Sequence, residues 1–323
     1  MLSLVTFQEA PSRIPSSPWL AAEWARTSVL FIHVFTAAYL AAGLAALVAW
    51  RITGNVSWVE YYFRVPGAFV LVFLAAASLA LGRRVQREFS PGQPMYQAWR
   101  LIVISAVCDL AGALFTQFSS VPVALNPLAH ASWWSPALAA SLRQFGQSAG
   151  GSLRFAFLAA GLFQALRVYR KSGFLARLTI PDWGLLIVAG AYVVREAVDL
   201  AHAIRLGKHP SPAEILGWPT DPLLWILLAE SILLYRSVRQ MGPGWIGRCW
   251  QAFSFGISLI ILGNAAIWAT AYGFLPWPWS AIGWYLWLPA AAAFALAPAY
   301  QLDATHRAYT SRTRPHPPAP SSV

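Results

Sequence analysis

Hydrophobic residues in this chain fall into long runs broken by short polar stretches. They show neither the alternation of a half-buried strand nor the narrow stripe of a surface helix. Eight runs approach or exceed the roughly 20 residues that a helix needs to cross about 30 Å of hydrocarbon. They cover Ser28 to Trp50, Pro66 to Gly82, Leu101 to Phe118, Gly151 to Tyr169, Trp183 to Ile204, Pro222 to Tyr235, Trp250 to Tyr272 and Ala281 to Tyr300. The second and sixth are the shortest, and the count falls to seven if one of them does not span. The expected fold is an all-α polytopic integral membrane protein of about eight transmembrane helices over residues 28–300. A juxtamembrane segment, 1–27, precedes it, and a Pro-rich tail, 301–323, follows without expected structure.

Composition narrows the solvent. Of 323 residues, 58% are hydrophobic and 11% charged, against about 25% charged in a soluble domain. So little charge would leave a soluble core uncovered, and the eight runs leave no room for a separate soluble domain. The N-terminus lacks the basic start and apolar core of a cleaved signal, so the first span is expected to act as an uncleaved one. Cys108 and Cys249 form neither a disulfide framework nor a zinc-binding pattern.

The net charge of +11 would suggest nucleic acid if it lay on a soluble surface. Here the basic residues sit between apolar helices, so the lipid bilayer is the expected partner and nucleic acid is not. Sixteen Lys and Arg fall on the side holding both tails and the loops after spans two, four and six. Six fall on the other side: Arg51, Arg64, Arg143, Arg154, Arg205 and Lys208. That bias places both termini in the cytoplasm of a cell membrane of the bacterial inner-membrane type.

The three basic loops share a pattern of Arg-rich helix end, turn, and a Trp opening the next span (Trp99, Trp183, Trp250). One reading is a triplicated helical hairpin flanked by the first and last helices. The other is that basic ends and interfacial Trp suit any hairpin on that side, and the drifting Arg-to-Trp spacing favours it. On the opposite side, Ser119 to Gly150 contains Trp133, Trp134 and the run PALAASLRQF, expected to form a short interfacial helix. LPWPW, from Leu275 to Trp279, reads as a tight aromatic turn. The Ala-rich first and last spans suit close helix packing, within one chain or between copies, and Pro289 and Pro298 are expected to kink the last.

Charge inside the membrane costs at least about 2.5 kcal/mol per residue, so it marks a site or a paired network. Four acids fall within spans, Asp109, Glu196, Asp199 and Glu230, together with Arg195. Tyr192, Arg195, Asp199 and His202 share one helical face, with Glu196 beside it. If spans five and six pack side by side, Glu230 is expected to meet Arg195, with Asp109 and Asn264 at similar depth. These eight residues are the candidate ligand- or proton-binding set, and Glu230 is the expected proton carrier.

Other chemistry is disfavoured. His33 and His202 lie at opposite depths and cannot share a haem iron. Asp199 and His202 with His130 or His209 could hold a metal, but no local ligand motif supports it. No Lys lies in a span to carry a retinal Schiff base. No GxSxG, GxxxxGK[ST] or GxGxxG motif occurs, and no cofactor is specified. The leading functional expectation is a non-enzymatic small-ligand- or lipid-binding module, a sensor or a subunit of a homo- or hetero-oligomer. A proton-coupled transporter using Glu230, Asp199 and Glu196 is the alternative, and an intramembrane lipid-modifying enzyme the third.

Overall fold

A backbone surrounded by hydrocarbon can satisfy its N–H and C=O groups within one segment only by becoming helical. The computed structural model describes residues 18–120, 135–208, 210–211, 215, 217–240, 246–275 and 281–313. Its helices are α1 (Pro18–Thr53), α2 (Ser57–Arg64), α3 (Pro66–Arg87), α4 (Pro94–Ser120), α5 (Pro136–Lys171), α6 (Ile180–Arg205), α7 (Thr220–Arg239), α8 (Ile246–Ala271) and α9 (Ala281–Thr313). All but α2 match the eight apolar runs one to one, and no strand occurs among the described residues. The protein is thus an all-α, multi-pass membrane protein.

Six of the long helices are long and apolar enough to cross a membrane by themselves. The other two, α6 and α7, differ because every 18-residue window in them holds at least three charged residues. Those charges are the ones that drew attention in the sequence.

Several elements differ from expectation. The run PALAASLRQF is the opening of α5, not a separate interfacial helix. Ser135 caps it by accepting the Leu138 N–H at 3.1 Å, and Pro136 follows at the first helical position. Once nucleated there, extension costs less than stopping and starting again. The result is 36 residues, or about 54 Å at the helical rise, well beyond the hydrocarbon. A further short helix, α2, fills the first connection, with Val59 buried. The expected tail is also shorter than its sequence suggests: residues 301–313 continue α9 as helix, with Leu302, Asp303 and Ala304 buried against the bundle. Trp133, Trp134, His130, His209, the turn beyond Leu275 and residues 314–323 lie outside the described residues.

The packing follows a closed cycle: α9 on α3, α3 on α4, α4 on α5, α5 on α7, α7 on α8, and α8 back on α9. Outside it, α1 and α2 lie against α9, and α6 lies against α7. The paired arms α3–α4 and α7–α8 pack along each other, whereas α5 and α6 do not, because α6 turns to α7 instead. The three basic hairpins are therefore not equivalent packed units.

Two of the three Trp residues expected at the interface are core residues. Trp99 and Trp250 are fully buried, with ring centroids 6.4 Å apart. Their helices begin about two turns and one turn earlier than expected, at Pro94 and Ile246, so both rings lie within the packed length of their helices. Trp183 is exposed.

Small residues set the closest approaches, as they do where helices associate in lipid. A Cβ added at Gly112 of α4 would lie 2.6 Å from Gly150 Cα of α5, and one at Gly161 only 3.1 Å from the Ala98 carbonyl. Ala290, Ala292, Ala293, Ala295, Ala297 and Ala299 bury α9 against its neighbours, so the last Ala-rich span packs within the chain. By contrast α1 buries little, chiefly Ala25, Ile32 and Gly43.

One face of the bundle gathers the basic loops with the start of α1 and the end of α9. Asp303 holds Arg26 at 3.4 Å and Arg307 at 2.9 Å, and His306 stands 3.6 Å from Glu88. At the same face Asp182, in the first turn of α6, is buried and accepts from the Thr179 N–H (2.6 Å), the Thr179 hydroxyl (2.8 Å) and Arg236 of α7. Arg236 also donates to the Arg177 carbonyl at 2.9 Å. Burial pushes the Asp182 carboxyl up, but the Thr179 bonds and Arg236 outweigh it and hold it below the usual range.

A carboxyl lowered by folding stabilises above its unfolded pKa and loses that contribution as pH falls through the folded value. Asp182→Asn should therefore lower stability by about 1.5–3 kcal/mol at neutral pH. It should also flatten the acid-side loss below about pH 4, both read from thermal unfolding in detergent between pH 7 and pH 3.

Candidate polar site at the far ends of α6, α7 and α8

Opposite the basic face, the antiparallel pair α6–α7 sets the register of the site. Asp182 stands beside Arg236 near the basic face, and Tyr192 lies against Trp225 midway, ring centroids 6.2 Å apart. The same stagger sets Arg195 and Glu196 opposite Asp221, in the first turn of α7. Asp221 is close enough to repel Glu196 and to attract Arg195, and Asn264 of α8 stands near its carboxyl. Asn264 Oδ1 in turn accepts from the indole N–H of Trp287 on α9 at 3.2 Å.

Arg195 has two further neighbours. Its Nε lies 3.6 Å from Asp199 Oδ2, one turn along the helix, and its guanidinium sits 4.9 Å from the ring centre of Trp268. Trp268 also approaches Tyr192, at 6.4 Å. Side chains of Arg195 and Asp199 are 43% and 61% exposed, so the site is open at its edge.

Tyr192, Arg195, Glu196, Asp199 and Asn264 are thus brought together. His202, three residues beyond Asp199 on the same helix, is exposed. Asp221, Trp225 and Trp268 belong to the group and were missed from sequence. Asp221 falls one residue before the expected span, where an acid at a helix start has an ordinary reading as favourable to the helix dipole.

Asp109 and Glu230 are placed elsewhere. A 2.7 Å bond between the Ser152 and Thr220 hydroxyls sets α5 level with α7, so Asp109 and Arg154 are close to the depth of Arg195. They face the interior of the helix cycle instead. Asp109 Oδ1 accepts from Arg154 at 2.6 Å, and both side chains are largely buried. The Arg154 guanidinium lies 4.6 Å from the Phe294 ring centre, and its carbonyl accepts from Ser105 at 2.8 Å. Ser78, Ser105 and Phe253 share the small void around this pair. Arg154, which the charge count assigns to the far-side loops, lies inside the fourth apolar run.

Glu230 does not meet Arg195. It lies nine residues past Asp221, about 13 Å further along α7. Its Oε2 is buried without a hydrogen-bond partner among the described residues. The short link between spans five and six brings their ends together, and an end-to-end register pairs Arg195 with the start of α7, not its middle. Among the described residues no three His, Cys, Asp or Glu side chains are arranged to hold a metal ion.

No protein-family model, curated protein or solved structure matches this chain.

Proposed function

We propose that this protein is a non-enzymatic ligand-binding membrane module, and that its ligand is a small organic cation held at the far ends of α6, α7 and α8. The observation that carries this reading is the charge balance. Glu196, Asp199 and Asp221 share a single guanidinium, which is itself laid on Trp268. Carboxylates gathered on the same helix ends as Tyr192, Trp225 and Trp268 form a setting in which an ammonium group gains both ionic and cation–π attraction. The Lys and Arg bias supports a cytoplasmic basic face in an inner-membrane-type bilayer, with the site opening on the other side. As a sensor or subunit, the module would offer α1 and α6, the helices outside the cycle, to a partner.

The transporter reading needs a path from Glu230 to Asp199. The separation of about 13 Å between Glu230 and the Asp221 level supplies none. A binding experiment separates the two. Full-length protein in mild detergent is titrated with tetramethylammonium and with small primary amines, followed by calorimetry and thermal unfolding. Saturable binding is expected, weakened at least about tenfold in Glu196→Gln and Asp221→Asn and unchanged in Glu230→Gln. No binding by any of these cations overturns the proposal. Proton-driven uptake into vesicles, lost in Glu230→Gln, would establish transport instead.

A further inference from the structure

A second feature, remote from the polar site, lies at the basic face. Helix α1 packs along α9 but not along α8, so a wedge remains between α1 and α8 with α9 as its floor. It forms a cavity of about 380 Å³, a size suited to a small ligand or one chain of a lipid.

The lining is graded along the helices. Arg248 and Gln251 from the start of α8, His33 from α1 and Tyr300 from α9 surround the end nearest the basic face. His33 Nε2 and the Tyr300 hydroxyl are 2.8 Å apart. The remaining walls include Ala252, Phe255, Ala292, Ala293 and Leu296, and Pro289 is the lining residue of α9 furthest from the basic face. No carboxylate lines the cavity.

Depth identifies the occupant. Tyr300 and Pro289 are eleven residues apart on α9, about 16 Å at the helical rise. Half of a hydrocarbon core of about 30 Å is the same length. A cleft that is basic at the interface, apolar below and one leaflet deep matches the shape and polarity of a phospholipid. In a bilayer, such a cleft is filled by a chain or leaves apolar walls without partners.

We infer that the α1–α8–α9 cleft is a selective site for one anionic phospholipid of the leaflet at the basic face. Arg248, with Gln251 and Tyr300, receives the phosphate, and an acyl chain runs over Ala292 and Ala293 to Pro289. Small residues at these positions keep the channel open, and the bond between His33 and Tyr300 holds α1 at the width the chain needs. This site shares no residue with the proposed cation site, so either proposal can fail without the other.

The test uses delipidated full-length protein in mild detergent, titrated with phosphatidylglycerol or with phosphatidylcholine of identical chains, and read by native mass spectrometry. One phosphatidylglycerol should be retained in preference to phosphatidylcholine. Arg248→Gln should weaken that retention about fivefold, the effect of one basic residue at a charged membrane surface. Arg239→Gln, exposed on the same face but outside the cleft, should not. Ala292→Phe should abolish retention of both lipids by blocking the channel. Thermal unfolding of each variant confirms that it is folded, and soluble glycerol phosphate should not compete. Equal retention of the two lipids, an unaffected Arg248→Gln, or displacement by glycerol phosphate overturns the inference.

Discussion

Replacing Gly150 with Leu should prevent this protein from reaching its folded state, and Gly150→Ala should leave it measurably destabilised. At this crossing the α4 and α5 backbones touch. A Cβ at Gly150 would lie 2.5 Å from the Gly112 Cα, and one at Gly146 only 3.0 Å from the Gly112 carbonyl. Overpacked cores usually relax by rotating a side chain, at about 1–3 kcal/mol. Here the obstacle is main chain, so the helices themselves must separate. Separation would also pull apart Asp109, one turn from Gly112, and Arg154, one turn from Gly150. A loss above about 3 kcal/mol is therefore expected for Leu. Recovery from detergent as a monodisperse species, with the unfolding midpoint, measures it. A Gly150→Leu protein as stable as the parent would mean that α4 and α5 do not cross at these glycines.

The second large effect is expected at the buried pair beside that crossing. Arg154→Ala leaves the Asp109 carboxylate without its 2.6 Å partner in an apolar surrounding, and should cost about 3–5 kcal/mol. It also removes the cation from the Phe294 face. Arg154→Lys should recover little, since a point charge reproduces neither the planar contact nor the geometry of the guanidinium. The informative variant is double. Asp109→Leu with Arg154→Met removes both charges at nearly constant volume and should regain most of the lost stability. If the double variant is as unstable as Arg154→Ala, the pair stabilises through its hydrogen bonds and not through mutual neutralisation. Unfolding midpoints of the parent, Asp109→Leu, Arg154→Met and the double variant in one detergent complete the cycle.

Much of the architecture was legible because lipid imposes a simple rule. Runs of about 20 apolar residues must become helices, and the eight runs become α1 and α3 through α9. The helix ends were less legible, because capping is local. Ser135 extends α5 through a segment expected to be separate, and Pro94 starts α4 before Trp99. The i, i+3, i+7 pattern of Tyr192, Arg195 and Asp199 correctly put them on one face, since that follows from helical geometry alone. Which residues of other helices meet that face depends on stagger, and stagger is set by long-range contacts such as Arg236 with Asp182.

The sequence by itself determined that the chain crosses a membrane several times, that its charge is concentrated on one set of loops, and that α6 carries its polar residues on one face. These properties are consequences of composition and period, each settled within a single helix. Only the tertiary structure decided that Asp221 joins Arg195 and Glu230 does not, that Asp109 is paired with Arg154, and that a cleft remains between α1 and α8. Those outcomes depend on where glycines let two backbones touch and on the axial shift between neighbouring helices. An axial shift of two turns, about 11 Å, leaves every hydrophobic pattern intact while exchanging the partner of every buried charge.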